Sequence, residues 1–258
     1  MTRPSAGTTH DTPDYRGGGR MTRLAIIGLG KMGRAIEQLA PERGWEIVAR
    51  IAAADNPHGD GITAESLAGA EVAIDFTTPE AAVDDVHATI SAGCPIVVGT
   101  TGWYAALPTL TQWVDERGGA LLTAPNFSLG VAIFEQVLQT AARLFARTPG
   151  FDAHLVETHH AAKKDAPSGT ALKLARAMRE PLRRDVPISS VRVGSVPGTH
   201  EVVFDGAFEQ VRLTHEARDR RVFAEGALFA ARWLIGRRGT FTMRDVLDSS
   251  SHTGSVRP

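Results

Sequence analysis

Hydrophobic positions follow two different rhythms along the chain. In the first half, short continuous apolar runs recur, each closed by small or polar residues. Residues 24–27 (L-A-I-I), 46–51 (E-I-V-A-R-I), 71–76 (E-V-A-I-D-F), 96–98 and 120–123 read as strands. Runs without strict alternation suit strands buried on both faces. Helix-like spacing separates them at 34–40 and 80–92. Strand and helix alternating in this way predict a parallel, doubly wound sheet of the Rossmann type, an α/β fold. Residues 129–146 form an amphipathic helix-like segment, and after it the rhythm changes. Residues 152–158, 188–193, 201–206 and 209–215 are strand-like, with only the helix beginning at Ser168 between them. That pattern predicts a smaller α+β domain with a mixed sheet. Residues 221–234 return to helical spacing, with small Ala-rich positions suited to packing back on the first domain.

The domains read as 21–127 for dinucleotide binding, completed by 219–248, and 128–218 for substrate binding and oligomerisation. Residues 1–20 are rich in Thr, Pro and Gly, end in Gly17, Gly18 and Gly19, and lack the apolar core of a secretory signal. They read as a disordered tail before a native-like start at Met21. Residues 249–258, rich in Ser and Gly, read as a second one.

Composition narrows the class. The 258 residues suffice to bury a core without disulfide staples. Lys and Arg number 28 against 29 Asp and Glu, a net charge of −1, which argues against nucleic acid as a partner. The single cysteine, Cys94, excludes an intrachain disulfide framework and a Cys-rich metal site, and it reads as buried and structural. No metal is expected. No apolar run reaches transmembrane length, so no membrane partner is expected.

Candidate chemistry begins after the first strand. Gly28, Leu29, Gly30, Lys31, Met32 and Gly33 place a G-x-G-x-x-G between a strand and a helix, which makes it a dinucleotide fingerprint. Gly28 permits the tight turn, Gly30 admits a pyrophosphate, and Gly33 allows close helix–strand packing. A carboxylate for the cofactor ribose is expected after 46–51. There the chain has Ala52, Ala53 and Ala54, and Asp55 comes late. Later strands end in Phe76-Thr77-Thr78-Pro79, Gly99-Thr100-Thr101-Gly102 and Ala124-Pro125-Asn126-Phe127-Ser128. One Thr-rich turn is only a cap; three at successive strand ends favour a cofactor crevice.

The densest chemistry lies at 157–171, E-T-H-H-A-A-K-K-D-A-P-S-G-T-A. Ser168 is a good N-cap, so free N–H groups at Gly169 and Thr170 would face an anion. Lys163 and Lys164 add positive charge, and His159 and His160 can exchange protons near neutral pH. Paired His and Lys residues on a loop are often plain solvated surface. Five polar types converging on a helix N-terminus favour a site for a small anionic substrate with a proton donor beside it.

This stretch resembles the signature of the 4-hydroxy-tetrahydrodipicolinate reductases (dihydrodipicolinate reductases) of lysine and diaminopimelate biosynthesis. The strings D-F-T-x-P, G-T-T-G, A-P-N-F-S, G-x-H-E-V at 198–202, H-x-A-x-x-R at 215–220 and F-A-x-G-A at 223–227 resemble the same family. So does the Met32-Gly33 pair, although some members carry one more residue in that glycine loop. The resemblance spans essentially residues 21–247. It implies reduction of a cyclic C=N dicarboxylate by NADH or NADPH, with loss of water, in a cytoplasmic homotetramer built through the second domain's open sheet. On general grounds, an open sheet with an uncovered apolar face favours self-association. It makes His159 the general acid/base and Lys163 a second proton donor. His160, Lys163, Ser168, Gly169 and Thr170 would hold substrate carboxylate. The cofactor would lie over the glycine loop, with Phe76, Thr77, Gly99, Thr100, Thr101, Ala124, Pro125, Asn126 and Phe127 around it. Asp165 reads as a turn former. Two rivals share the glycine loop: another amino-acid oxidoreductase of aspartate dehydrogenase type, and a non-catalytic nucleotide-sensing module. The first does not need the 157–171 cluster; the second predicts tight cofactor binding with no turnover on any cyclic imine.

Overall fold

The structure, a computed structural model, describes residues 20–250. The apolar runs at the start of the chain become a parallel sheet: β1 (Thr22–Ile27), β2 (Trp45–Ile51), β3 (Val72–Asp75), β4 (Ile96–Val98) and β5 (Ala120–Thr123). A sixth strand, β10 (Gly239–Phe241), joins in parallel beside β5, giving the order β10-β5-β4-β3-β1-β2. Each inner strand feeds two cores. Leu24 and Ile26 of β1 pack on one face, and Ala25 and Ile27 on the other. A strand buried on both sides shows no polar alternation, which is why its sequence reads as a plain apolar run.

Helices α1 (Lys31–Leu39) and α6 (Arg221–Leu234) belong to the first of these cores, and α2 (Pro79–Ser91) and α3 (Leu107–Glu116) to the second. The small residues of α6 let it sit close under the sheet. A Cβ at Gly226 would stand 1.7 Å from the Phe127 carbonyl oxygen. Gly226→Ala should therefore displace α6 and cost roughly 1–3 kcal/mol, an overpacking penalty. A thermal melt should show the loss as a fall of about 2–4 °C per kcal/mol. An unchanged melting temperature would mean that α6 shifts freely.

The alternation expected along this half breaks once. Between β2 and β3 the chain makes 3₁₀ turns at Ala53–Asp55 and Pro57–Gly59 instead of a helix. Pro57 and the left-handed Gly59 (φ 82°) close those turns. The pattern reading also did not single out α3, β10 or α7 (Met243–Ser250). At the chain ends, Arg20 is described and its guanidinium pairs with Glu71 at 2.9 Å. The rest of the expected N-terminal tail lies outside the described residues. The expected C-terminal tail begins too early, because α7 runs through Ser250. Residues 251–258 lie outside the described residues.

The second sheet is mixed, as its rhythm predicts. β6 (Asp152–His159), β7 (Ile188–Arg192), β8 (Thr199–Asp205) and β9 (Gln210–Glu216) lie in the order β7-β6-β8-β9. β7 is parallel to β6; β8 and β9 are antiparallel to their neighbours. Helices α4 (Leu129–Phe145) and α5 (Gly169–Leu182) pack on the sheet's inner face. That face is built in rows of directly opposed residues: Ala153, Phe204 and Val211, then Leu155, Val202 and Leu213, then Glu157, His200 and His215. Two rows are apolar core, and the third turns polar where the sheet reaches the cleft. The outer face was expected to be apolar. It is mixed, with Val156 and Val203 among His154, Glu201, Arg212 and Thr214, and Arg212 pairs with Glu201 at 2.6 Å. Strict alternation leaves only every second position of each strand to that face, and here those positions are mostly polar.

Candidate active site

The glycine loop lies where the sheet order reverses. β1 has β2 on one side and β3 on the other, so the loops after β1 and β3 diverge and open a crevice. Gly28 takes φ 87°, a left-handed conformation, and a Cβ there would stand 2.4 Å from the Phe76 carbonyl oxygen. Gly33 packs so closely that a Cβ would stand 2.0 Å from the Gly28 carbonyl oxygen. Around Gly30, by contrast, a Cβ would meet nothing within 4 Å. Gly30 is also the N-cap of α1, with no side chain capping the helix. The loop thus combines a forced turn, a tight packing point and an open helix N-terminus, which is what a pyrophosphate requires. Lys31 and Arg34 are exposed beside it, and Arg34 Nε donates to the Leu29 carbonyl at 3.2 Å. Asp55 is exposed at the end of its 3₁₀ turn.

The neighbouring strand ends divide between lining and support. Thr101, Ala124, Pro125 and Asn126, with Met32, line one large cleft of about 1050 Å³ that runs on to the second sheet. Phe76 and Phe127 meet edge to face at 5.9 Å, and Phe127 is buried. Gly99 leaves room for the Phe76 ring, which a Cβ would meet at 2.0 Å. The Thr77 N–H donates to Thr100 Oγ1 and to Asp75 Oδ1, each at 2.8 Å. Asp75 and Asp85 were not singled out in the sequence, yet they hold these turns from below. Thr77 Oγ1 donates to Asp85 at 3.1 Å, and Asn56 Nδ2 donates to it at 2.6 Å. Burial, and then the charge of Asp85, push the Asp75 carboxyl up to about 7. The signal was present but ambiguous: an aspartate ending an apolar strand is as often a cap.

Across the same cleft stand His159, His160, Lys163, Ser168, Gly169 and Thr170. Lys164 is exposed and is not among the lining residues. Ser168 caps α5, its Oγ accepting from the Ala171 N–H at 3.1 Å, and no atom would lie within 4 Å of a Cβ on Gly169. The N-terminus of α5 therefore opens into the cleft. Asn126 Nδ2 donates to Thr170 Oγ1 at 3.1 Å, tying the cofactor side to the anion side. Lys163 Nζ rests on Asp165 Oδ1 at 2.7 Å, and that contact holds the Asp165 carboxyl below its usual range. Arg220, at the start of α6, donates to His160 Nε2 at 3.0 Å, so it reaches the site from a segment distant in sequence. Arg244 of α7 also lines the cleft.

Glu157 fixes the catalytic candidate. Its carboxylate is fully buried, contacts His159 Nδ1, and accepts from Arg192 Nη2 at 2.7 Å and from the Ser168 N–H at 3.3 Å. Burial alone would raise its carboxyl, but Arg192, Ser190 and His159 bring it down to about 2. The same burial holds His159 below the ordinary imidazole value, with Glu157 working in the opposite direction. The ring is thus neutral at neutral pH and oriented by a buried carboxylate. Donor atoms of Glu157, His159 and His200 lie within 4.8 Å of one another, close enough for a metal set. Glu157 already neutralises Arg192, and Lys163 adds a further positive charge, so electrostatics disfavour a cation there.

A parallel sheet whose glycine loop suits a pyrophosphate, joined through one cleft to an open helix N-terminus and a buried His–Glu pair, fits a pyridine-nucleotide-dependent reductase. Residues 22–127 match the family described as "Dihydrodipicolinate reductase, N-terminus", and residues 130–247 match "Dihydrodipicolinate reductase, C-terminus". The 4-hydroxy-tetrahydrodipicolinate reductase of Stenotrophomonas maltophilia (strain R551-3) is 40% identical over 240 residues, covering 87% of this chain and 97% of the relative. That of Christiangramia forsetii is 34% identical over 238 residues, with the same coverage of 87% and 97%. Among solved structures, dipicolinate-bound dihydrodipicolinate reductase from Paenisporosarcina sp. TG-14 superposes with a TM-score of 0.71 at 25% identity, covering 86% of this chain and 97% of that one. The chain belongs to the dihydrodipicolinate reductase family. The aspartate dehydrogenase-like and non-catalytic readings fall with that membership. Among the described residues, no helix is long and apolar enough to cross a membrane.

Proposed function

We propose that the protein reduces 4-hydroxy-tetrahydrodipicolinate to tetrahydrodipicolinate with loss of water, in cytoplasmic lysine and diaminopimelate biosynthesis. The observation that carries this reading is the meeting, in one cleft, of the His159–Glu157 pair, Lys163 and the open N-terminus of α5 with the cofactor-side residues Met32, Thr101 and Asn126. One substrate carboxylate would sit at Gly169 and Thr170 and meet Lys163, whose flexible stem allows it to leave Asp165. His160, held by Arg220, would bracket the same group. Two substrate carboxylates arriving beside a neutral His159 favour its imidazolium, so binding itself arms the acid. A nicotinamide bound in the cleft would supply the hydride to the conjugated C=N system. His159, with Lys163 beside it, then neutralises the charge that hydride addition builds. A coupled assay tests the reading: pyruvate and aspartate semialdehyde pass through the preceding synthase while cofactor absorbance is followed. No oxidation of cofactor above the synthase-only rate would overturn it.

The cofactor is NADH or NADPH, with neither favoured by more than roughly tenfold in kcat/KM, about 1.4 kcal/mol. Strong rejection of a 2′-phosphate needs a carboxylate directly after β2, where Ala52 stands, and Asp55 is displaced and exposed. Strong attraction needs a fixed cation there. Lys31 and Arg34 offer a partial counter-charge that salt would weaken. Steady-state kcat/KM with each cofactor at two ionic strengths decides this. A preference beyond a hundredfold would show that the ribose site lies elsewhere.

The assembly is taken to be a homotetramer, as the resemblance implies. The fully exposed Phe208 and the half-exposed Val191 and Val193 are apolar groups of the second domain that another copy would cover.

A further inference from the structure

His200 and His215 belong to strings that the activity has not yet used. Both continue the inward apolar register of their strands: His200 follows Phe204 and Val202, and His215 follows Val211 and Leu213. They stand directly opposite one another, and His200 stands directly opposite Glu157. His159 lies two residues along β6 from Glu157, on the same face. The rings of His159 and His200 are 5.2 Å apart and edge on, and those of His200 and His215 are 6.3 Å apart. Spacings of this size leave room for one bridging water between neighbouring rings, through which a proton can pass. His159 and His200 are only 8% and 3% exposed, whereas His215 is half-buried on the edge strand β9. Among the described residues, neither ring nitrogen of His200 has a hydrogen-bond partner, although the ring lines the cleft. A buried imidazole with no protein partner takes its hydrogen bonds from what enters the cleft, water included.

We propose that His215 and His200 form a row that carries solvent protons to His159, supplying its acid form as substrate binds for each reduction. The inference rests on the reading of His159 as the acid. Each turnover removes one hydride from the reduced cofactor and one proton from the His159 imidazolium. His215 takes a proton from hydronium or a buffer acid, passes it to neutral His200, and His200 passes it to the His159 imidazole, so each ring returns to neutral and the count closes at one proton per hydride. Neither His200 nor His215 touches the reacting atoms, and both act through His159. The charged and titratable groups facing the row are Glu157 on β6, Arg192 on β7 and Lys163 on the loop after β6. The Glu135–Lys173 pair between α4 and α5 faces the same cleft, and Phe134 of α4 packs on His215. Burial and the neighbouring His159 and His215 push the His200 ring down to about 4, and burial lowers His215. The row is therefore neutral at rest, and a proton that reaches His200 is passed on rather than held.

The test compares His200→Gln and His215→Gln with wild type in kcat, substrate KM, solvent deuterium isotope effect and rescue by imidazole buffer. The row predicts a kcat lowered roughly ten- to a hundredfold, a larger solvent isotope effect, a substrate KM within a few-fold, and recovery of rate as imidazole is added. An unchanged kcat and isotope effect in either variant overturns the proposal. So does a loss confined to KM without rescue, which would make the row a substrate contact. If His200→Gln does not fold, His215→Gln, at the half-exposed edge, decides alone. His159→Gln separates the two readings. If that variant keeps its rate, the acid assignment fails; if it is slow while the row variants are normal, only the row fails.

Discussion

His159→Gln should lower kcat by about 10²–10⁴, the range that a positioned acid–base group contributes. Cofactor affinity should stay within a few-fold, because His159 stands on the second sheet and the glycine loop follows β1. Glutamine can still donate to Glu157, so the buried carboxylate keeps a partner and the fold should survive. The motivating geometry is the fully buried Glu157, clamped by Arg192 and the Ser168 N–H, with His159 held against it. Such a clamp fixes the tautomer and aims the other ring nitrogen toward Gly198 and the cleft, where a Cβ would stand 3.0 Å from it. Stopped-flow turnover with cofactor titration by fluorescence checks both halves. A kcat within a few-fold of wild type removes His159 from the chemistry.

Lys163→Ala should damage binding and turnover together. Lys163 lies in the cleft with Asp165 as its partner in the free protein. On substrate binding it would exchange that carboxylate for one of the substrate's. A hydrogen bond to a charged group is worth about 1.5–3 kcal/mol, or roughly 10–100-fold in substrate KM. A further fall in kcat is expected because the lysine also stands as second proton donor. The α5 N-terminus remains in the variant, so binding should weaken without vanishing. Initial rates over a range of substrate concentration measure both constants. If both match wild type, Lys163 belongs to the Asp165 turn alone.

The parallel sheet is legible in the chain alone, because strands buried on both faces must be apolar along their length, and such runs stand out. So are the glycine loop and the 157–171 cluster, because turn geometry and capping are local: Gly28, Gly33 and Ser168 do in three dimensions what their neighbours in the chain imply. Register was only half legible. The period-2 pattern ran through His200 and His215, but nothing local says that two histidines on separate strands face one glutamate. Strand pairing decided that, by opposing Glu157 with His200 and His200 with His215. Tertiary structure likewise brought Arg220 to His160 and Arg244 into the cleft, and buried Asp75 near Asp85 beneath the cofactor turns. These are contacts between segments far apart in sequence. Their formation depends on how sheets and helices pack, and a single chain read from end to end carries no record of which distant residues the packing will join.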